Sequence, residues 1–204
     1  MDLVPKPLSL LDNPLKGTNH HEQDESNQAH IFLAHDAPAE SHPDARLERL
    51  AVAVLSGGSA SRLFSEVREK RGLCYSVSAG YSADKLFGRT IAYVGTTPER
   101  AQQSLDVLRA ELARIGTSAG AVTAEELARA KIGHKSSLVF SGESAGARAM
   151  ALAIDQHRIG RPRSLDEIAT ESESVTLGEL NSYLARRKTG ATTLVTLGPG
   201  KLEM

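Results

Sequence analysis

Hydrophobic and polar residues follow two different periods along the chain, and the changes of period predict where strands and helices lie. Residues 29–37 alternate as a strand does. From Asp44 onward the apolar residues recur at the spacing of an amphipathic helix, and they are Leu47, Leu50, Ala51, Val54 and Leu55. Gly57-Gly58 ends this helix. Ser59 or Ser61 can cap a second helix, which ends at Gly72 in a left-handed C-cap.

Two-residue alternation returns after Gly72 and predicts a β-hairpin. Its first strand, residues 73–81, would place one set of side chains on a single face: Leu73, Tyr75, Val77, Ala79 and Tyr81. Residues 87–95 form the partner strand. Helix-start signals follow at Thr97, Thr123, Ser144, Ser164 and Thr176, and residues 191–197 form a last strand. This order predicts an α+β fold, a small and mainly antiparallel sheet with helices packed on one face.

Two domain-level segments are expected. Residues 1–28 contain three prolines followed by the polar, acidic run GTNHHEQDESNQ, which is typical of a linker or disordered arm. Residues 29–204 form the folded domain. The opening MDLVPKPLSLL lacks the basic start of a signal peptide, and no run of 18 apolar residues predicts a membrane span.

Charge and composition argue against nucleic acid as a partner. Lys and Arg number 24 against 25 Asp and Glu, so the net charge is −1 and offers no general attraction to phosphate. Aromatic residues are 4% of the chain and Trp is absent, which disfavours base stacking. The single cysteine, Cys74, is more typical of a small hydrophobic strand residue than of a nucleophile.

The histidines could indicate a metal site and the glycines a phosphate-binding loop, but neither set of residues matches the corresponding motif. Five of the seven histidines lie between His20 and His42, yet no H-x-x-E-H or H-E-x-x-H occurs. We therefore interpret this stretch as solvated loop and expect no metal site. The run from Ser56 to Ser61 lacks the lysine of a phosphate-binding loop and follows a helix, so it predicts a break between two helices.

The charged run SRLFSEVREKRGLCYSV, residues 61–77, contains the best candidate site. Arg68 belongs to the last helical turn and Tyr75 begins the strand, so both side chains can converge beside the corner. A guanidinium and a phenol could bind a peptide carbonyl and hold it more strongly as it becomes an oxyanion. The alternative is a surface ion pair, Arg68 with Glu69 or a cross-strand partner, next to a tyrosine packed by its ring.

Two longer stretches resemble a known family. The runs LSGGSASRLFSEVREKRGLCYSVSAGYS and LFGRTIAYVGTTPERAQQSLDVL are similar to the pitrilysin-type zinc peptidases, which include insulin-degrading enzyme and the mitochondrial processing peptidase, and especially to their small bacterial relatives. With weaker similarity in the flanks, the resemblance covers residues 28–199.

The resemblance implies that the chain is the C-terminal, metal-free half of a zinc endopeptidase. Such enzymes pair two homologous halves, and the N-terminal half, fused or separate, binds zinc and activates water. Arg68 and Tyr75 match residues that contact the substrate peptide in this family. Gly57 and Gly58 match its glycine loop, which we interpret as structural, together with Gly72.

Several expectations follow from this resemblance. The chain alone should hydrolyse nothing and bind no stoichiometric zinc, although the complete enzyme would contain zinc. A surface that faces another half could also support a homodimer. Two alternatives stay open: a scaffold or partner subunit of the same fold, and a free-standing module that binds extended peptides.

Overall fold

The computed structural model describes residues 17–204, and the residues before Gly17 lie outside its scope. The strands are β1 (Asn19–Gln23), β2 (Ala29–Ala37), β3 (Ser76–Ala83), β4 (Gly88–Thr96) and β5 (Thr193–Gly198). The α-helices are α1 (Ala45–Ser56), α2 (Ala101–Arg114), α3 (Ala124–Gly142), α4 (Ala145–Ile159), α5 (Leu165–Glu173) and α6 (Leu177–Arg186). None of the helices in this range is long and apolar enough to span a membrane.

The strands form one sheet in the order β1-β5-β2-β4-β3. β2 pairs antiparallel with both β4 and β5, and β3 pairs antiparallel with β4. Only the pairing of β1 with β5 is parallel among the described strands. The predicted α+β fold with a mainly antiparallel sheet is therefore confirmed, and β3 lies at one edge of the sheet.

Helices cover one face of the sheet because alternate strand residues are apolar and buried there. Ile31 and Leu33 of β2 and Val94 of β4 are almost completely inaccessible, and they join a core with Leu50 of α1 and Leu105 of α2. The other face stays accessible. This open face carries large apolar side chains that remain more than a third exposed, namely Phe32, Ile91, Val195 and Leu197.

Helix starts follow the capping signals of the sequence. Thr123 and Thr176 each form a complete capping box, with Glu126 and Glu179 as the reciprocal partners. Ser164 also caps its helix, since its side chain accepts a hydrogen bond from the amide of Glu167. The helix starts are set locally, which is why the sequence predicts them well.

The structure corrects the predicted linker and the predicted histidine loop. Residues 19–23 form β1, which pairs with β5 through its backbone, so the arm expected over 1–28 contains a strand; residues 1–16 lie outside the described residues. His20 and His21, which we assigned to solvated loop, lie in β1 instead, whereas His30 and His35 lie in β2, the strand that the sequence predicts over residues 29–37. Backbone pairing stabilises β1, and this pairing leaves no mark in the hydropathy pattern.

The second helix and the strand after it also differ in detail from the prediction. Residues 64–69 form a π-helical turn, a wider turn that is often found at functional positions. The following strand begins at Ser76, so Leu73 and Tyr75 precede it. Gly72 has φ of +59°, which confirms the predicted left-handed conformation at this corner.

One carboxylate is buried completely within the helical layer. Glu48 of α1 is 0% exposed and accepts hydrogen bonds from Thr90 Oγ1 at 2.6 Å and Tyr183 Oη at 2.7 Å. The Arg187 guanidinium, itself nearly buried, donates to both oxygens at 2.9 and 3.0 Å. Burial acts to raise the pKa of Glu48, but Arg187 and the two hydroxyl donors outweigh it and hold that pKa below its usual value.

Candidate functional site

The corner between the π-helical turn and β3 is held together by backbone hydrogen bonds. The amide of Gly72 donates to the carbonyl of Arg68 at 3.0 Å, and the amide of Leu73 donates to the carbonyl of Val67 at 3.0 Å. The Arg100 guanidinium donates to the carbonyl of Gly72 from the start of α2. The chain therefore reverses at a fixed position between Arg68 and Tyr75.

The charges of the turn separate into paired and unpaired ones. Lys70 and Arg71 both contact the Glu66 carboxylate at 2.6 Å, and the hydrogen bonds they donate lower the pKa of Glu66 to about 2. Glu69 accepts a hydrogen bond from Ser65 at 3.2 Å rather than pairing with Arg68. Two of the three cations thus stabilise the turn, while the ion pair of Arg68 with Glu69, which was the alternative to a binding role, does not form among residues 17–204.

Arg68 keeps its donors available. Its guanidinium lies 5.0 Å from the centre of the ring of Phe64, four residues earlier in the chain, and Arg68 is exposed. It makes no hydrogen bond or ion pair with any residue in the range 17–204. Its charge opposes the effect of partial burial, which raises the pKa of the Cys74 thiol. The guanidinium therefore lies near the start of the strand and is free to bind an acceptor.

Tyr75 lies just before the edge strand β3, and the residue is 44% exposed. Its amide donates to the carbonyl of Gly95 at 3.2 Å, and its phenol donates to Oε1 of Gln28 at 2.9 Å. A side chain on Gly95 would begin 2.8 Å from the Tyr75 Oη. Because β4 alternates its faces, this places the Tyr75 hydroxyl over the open face of the sheet.

Tyr93 and His30 extend the site and were missed by the sequence prediction. The Tyr93 Oη lies 2.8 Å from Nδ1 of His30, and a side chain on Gly95 would begin 2.6 Å from it. Partial burial, and then the neighbouring Tyr75, raise the pKa of Tyr93, so this phenol keeps its proton. Tyr75, Tyr93 and His30 form a tyrosine cluster on the open face. Strand alternation was the available signal, since it places His30 and Tyr93 on the face opposite the core.

The two predicted site residues contact different neighbours in this structure. Arg68 lies over Phe64, whereas Tyr75 reaches Gln28 and the tyrosine cluster. Both are exposed, and they flank the same glycine corner. Their joint contact with one substrate stays a prediction.

The glycine loop has the geometry of a tight break between helices. A side chain at Gly57 would begin 2.3 Å from the carbonyl oxygen of Ala53, which is a clash with backbone. Gly58 has φ of +131°, a value that side chains rarely tolerate. Close packing therefore requires glycine at position 57, and the backbone conformation requires it at position 58. Both requirements support the structural interpretation of this loop.

Metal-binding groups do not assemble in the described range. Within residues 17–204, no three His, Cys, Asp or Glu side chains come together in a way that could hold a metal ion. His21 bonds Thr196 Oγ1 at 2.9 Å, and Nδ1 of His35 donates to the carbonyl of Asp36 at 2.9 Å. These two imidazoles are therefore engaged in hydrogen bonds within the sheet.

A family match covers most of the chain. Residues 2–133 match the family model described as the peptidase M16 inactive domain. An uncharacterized zinc protease of Bacillus subtilis, YmxG, is 31% identical over 177 residues, which are 86% of this chain and 42% of that protein. An uncharacterized zinc protease of Streptomyces coelicolor is 32% identical over 185 residues, with 86% of this chain and 38% of the relative covered. The chain thus spans less than half the length of these curated relatives.

Solved structures share the fold. A crystal structure of a peptidase M16 inactive domain from Pseudomonas fluorescens superposes with a TM-score of 0.72 at 25% identity, covering 93% of this chain and 45% of that one. A chain of Complex III2 from Candida albicans gives a TM-score of 0.78 at 17% identity, covering 90% of this chain and 46% of that one. At 17% identity, the similarity to the Candida albicans chain shows a shared fold and nothing more.

Proposed function

We propose, from the premise that this chain belongs to the peptidase M16 inactive-domain family, that it positions the substrate peptide in a zinc endopeptidase. Its partner in this proposal is the zinc-binding half of the same enzyme, fused or separate. The zinc held by that half supplies an activated water. The contribution of this chain is to bind the peptide backbone and to stabilise the oxyanion that hydrolysis creates.

One observation carries the proposal: Arg68 is exposed and has no polar partner among residues 17–204, while its neighbouring cations are paired. A guanidinium keeps its charge at every physiological pH and offers several fixed N–H donors. Such donors bind a neutral carbonyl weakly and an oxyanion strongly, which is the difference that accelerates a reaction.

Tyr75 supplies the second donor. Its phenol already donates to Gln28, so a substrate carbonyl would take the place of the Gln28 side-chain oxygen as acceptor. The exchange replaces one hydrogen bond by another and leaves no buried group unpaired. The bonds from Gly72 to Arg68 and from Tyr75 to Gly95 fix the backbone on both sides of the corner before substrate arrives.

Arg68→Ala in the complete enzyme, this chain together with its zinc-binding half, tests the role. Loss of one oxyanion donor costs about 2.7–4 kcal/mol in the transition state, so turnover should fall about a hundredfold or more. Stability should not change, because Arg68 is exposed. Arg109→Ala, at an exposed arginine of α2, is the matched control and should leave turnover unchanged.

Wild-type turnover in Arg68→Ala would contradict the positioning role and favour the scaffold alternative. Metal analysis of the purified chain is an independent check. We expect far less than one equivalent of zinc per chain, and a full equivalent would contradict the assignment of this chain as the metal-free half.

A further inference from the structure

An open cleft of about 610 Å³ lies between α1, the glycine loop and α3. The loop contributes residues 56–61, and α3 contributes residues between Glu126 and Ser137. Ala79 of the edge strand β3 lines the remaining side. This volume falls in the range of sites for small organic ligands and exceeds what one inorganic ion fills.

The cleft contains an unsatisfied polar atom. His134 of α3 lines it, and the Nε2 of His134 is buried without a hydrogen-bond partner in the described range. It is the one buried side-chain nitrogen or oxygen in residues 17–204 with that status. Buried polar atoms are nearly always paired in folded proteins, so an orphan in a cleft points to a partner that the protein itself does not provide.

The charges around the cleft leave one cation uncompensated. The Arg49 guanidinium donates to both oxygens of Glu40 at 2.8 and 2.9 Å. The Glu126 carboxylate accepts two bonds from Arg62, each of 2.7 Å. Arg129, five residues before His134 in α3, is exposed and has no hydrogen bond or ion pair with residues 17–204. The cleft therefore attracts an anion.

We propose that this cleft binds a small organic carboxylate, with Arg129 pairing with the carboxylate and His134 supplying a second polar contact. Arginine suits this ligand because its planar donors match two carboxylate oxygens. Most of the other lining side chains are small, and the apolar Val52, Ala53, Ala60 and Ala130 lie beside the serines of the loop. These side chains fit the carbon body of such a ligand and disfavour a bare ion.

Titration of the whole chain, followed by NMR of backbone amides and of the histidine rings, tests the cleft. The first probe is the blocked tripeptide acetyl-Ala-Glu-Ala-amide, and its control is the glutamine counterpart, which differs only in charge. Acetyl-trialanine with a free carboxyl terminus and glutarate are the other two probes. Together they distinguish a peptide side chain, a peptide terminus and a free acid as the source of the carboxylate.

We expect at least one carboxylate probe to shift the amides of residues 57–61 and the ring of His134, and to bind at least tenfold more tightly than the uncharged control. Arg129→Gln should weaken that binding by about tenfold or more, while Arg109→Gln should not. His134→Phe keeps a ring of similar size and should also weaken binding. Equal binding by the charged and uncharged probes, or full binding by Arg129→Gln, overturns the proposal. The outcome is independent of turnover in the complete enzyme.

Discussion

The Tyr75 phenol donates a hydrogen bond of 2.9 Å to Oε1 of Gln28, and it thereby links the start of the edge strand to the residue before β2. The bond is made over the open face of the sheet by a residue that stays 44% exposed. It fixes the direction of the hydroxyl without burying it. A donor held in this way would need little reorganisation in the proposed exchange of Gln28 for a substrate carbonyl.

Tyr75→Phe removes that donor and keeps the ring. In the complete enzyme we expect turnover to fall by about a hundredfold, the loss typical of one oxyanion donor. The free energy of unfolding should change by less than about 0.5 kcal/mol, because the bond is exposed. Turnover assays and urea unfolding of the same preparation measure both quantities.

Tyr81→Phe is the matched control, since it removes another phenol from the same hairpin. The Tyr81 hydroxyl donates to the carbonyl of Pro38 at 2.6 Å and is partly buried. This variant should lose about 0.5–1.5 kcal/mol of stability and keep its turnover. The reverse pattern, with Tyr75→Phe less stable but fully active, would mean that Tyr75 is structural.

Gly72→Ala tests the corner between the two candidate donors. Apart from its chain neighbours, no atom of residues 17–204 lies within 4 Å of the position that a side chain would occupy, so the cost is that of φ at +59°. We expect a loss of about 1–2 kcal/mol in urea unfolding, and a smaller loss for Gly72→Asn, because asparagine tolerates this conformation.

Gly178→Ala is the matched control, because the same substitution should raise the free energy of unfolding here, whereas it should lower it at Gly72. Gly178 lies in the first turn of α6, and no atom of the described residues outside its immediate surroundings lies within 4 Å of an added side chain. Alanine should therefore stabilise the chain by about 0.4–1 kcal/mol, because it reduces the entropy of the unfolded chain. If Gly72→Ala also stabilises, the corner does not depend on a left-handed residue, and the fixed spacing of Arg68 and Tyr75 loses its explanation.

The sequence predicts the parts of this fold that are encoded locally. α1 and the hairpin follow from hydrophobic periodicity, and the starts of α3 and α6 follow from capping boxes. β1 could not be predicted in this way, because NHHEQ carries no apolar alternation and is held at the sheet edge by backbone pairing with β5. Long-range pairing, rather than local preference, decides such strands.

The candidate site shows the same division. Arg68 and Tyr75 are close in sequence and stand out by charge and motif. His30 and Tyr93 are 63 positions apart and meet only because β2 and β4 are neighbours in the sheet. Glu48 looks like part of the polar face of α1 in the sequence, yet partners from β4 and beyond α6 bury it. Contacts between distant elements carry no local pattern that could predict them.

Glu48→Gln should destabilise the chain strongly. The substitution removes the charge that pairs with Arg187 and leaves that guanidinium uncompensated at 6% exposure. Breaking a buried pair in this way costs about 3–5 kcal/mol. Urea unfolding measures the loss. Glu125→Gln, at an exposed acid in the first turn of α3, is the control and should cost less than about 1 kcal/mol. A similar small cost at Glu48 would mean that the buried pair contributes little.

Stability should also fall with acid in two pH ranges. Burial lowers the pKa of His35 below 6.5, and the nearby charge of Arg187 acts in the same direction, although the carbonyl of Asp36 and the carboxylate of Glu48 oppose it. Below pH about 6.5 the unfolded chain therefore binds a proton at His35 before the folded chain does, and stability declines.

Glu48 acts in the lower range with the same sign. Its pKa in the folded chain lies below the unfolded value of about 4.3, so its stabilisation is complete above that pH and is lost as the pH falls further. Each group contributes a slope of at most about 1.4 kcal/mol per pH unit. Urea unfolding between pH 3 and 8 measures both contributions. In Glu48→Gln, the free energy of unfolding should no longer show the part of the pH dependence below pH about 4.3 that Glu48 causes. The dependence that His35 causes at higher pH should remain. A wild-type stability that stays constant from pH 7 to pH 4 would contradict the assignment of His35 as a buried neutral imidazole.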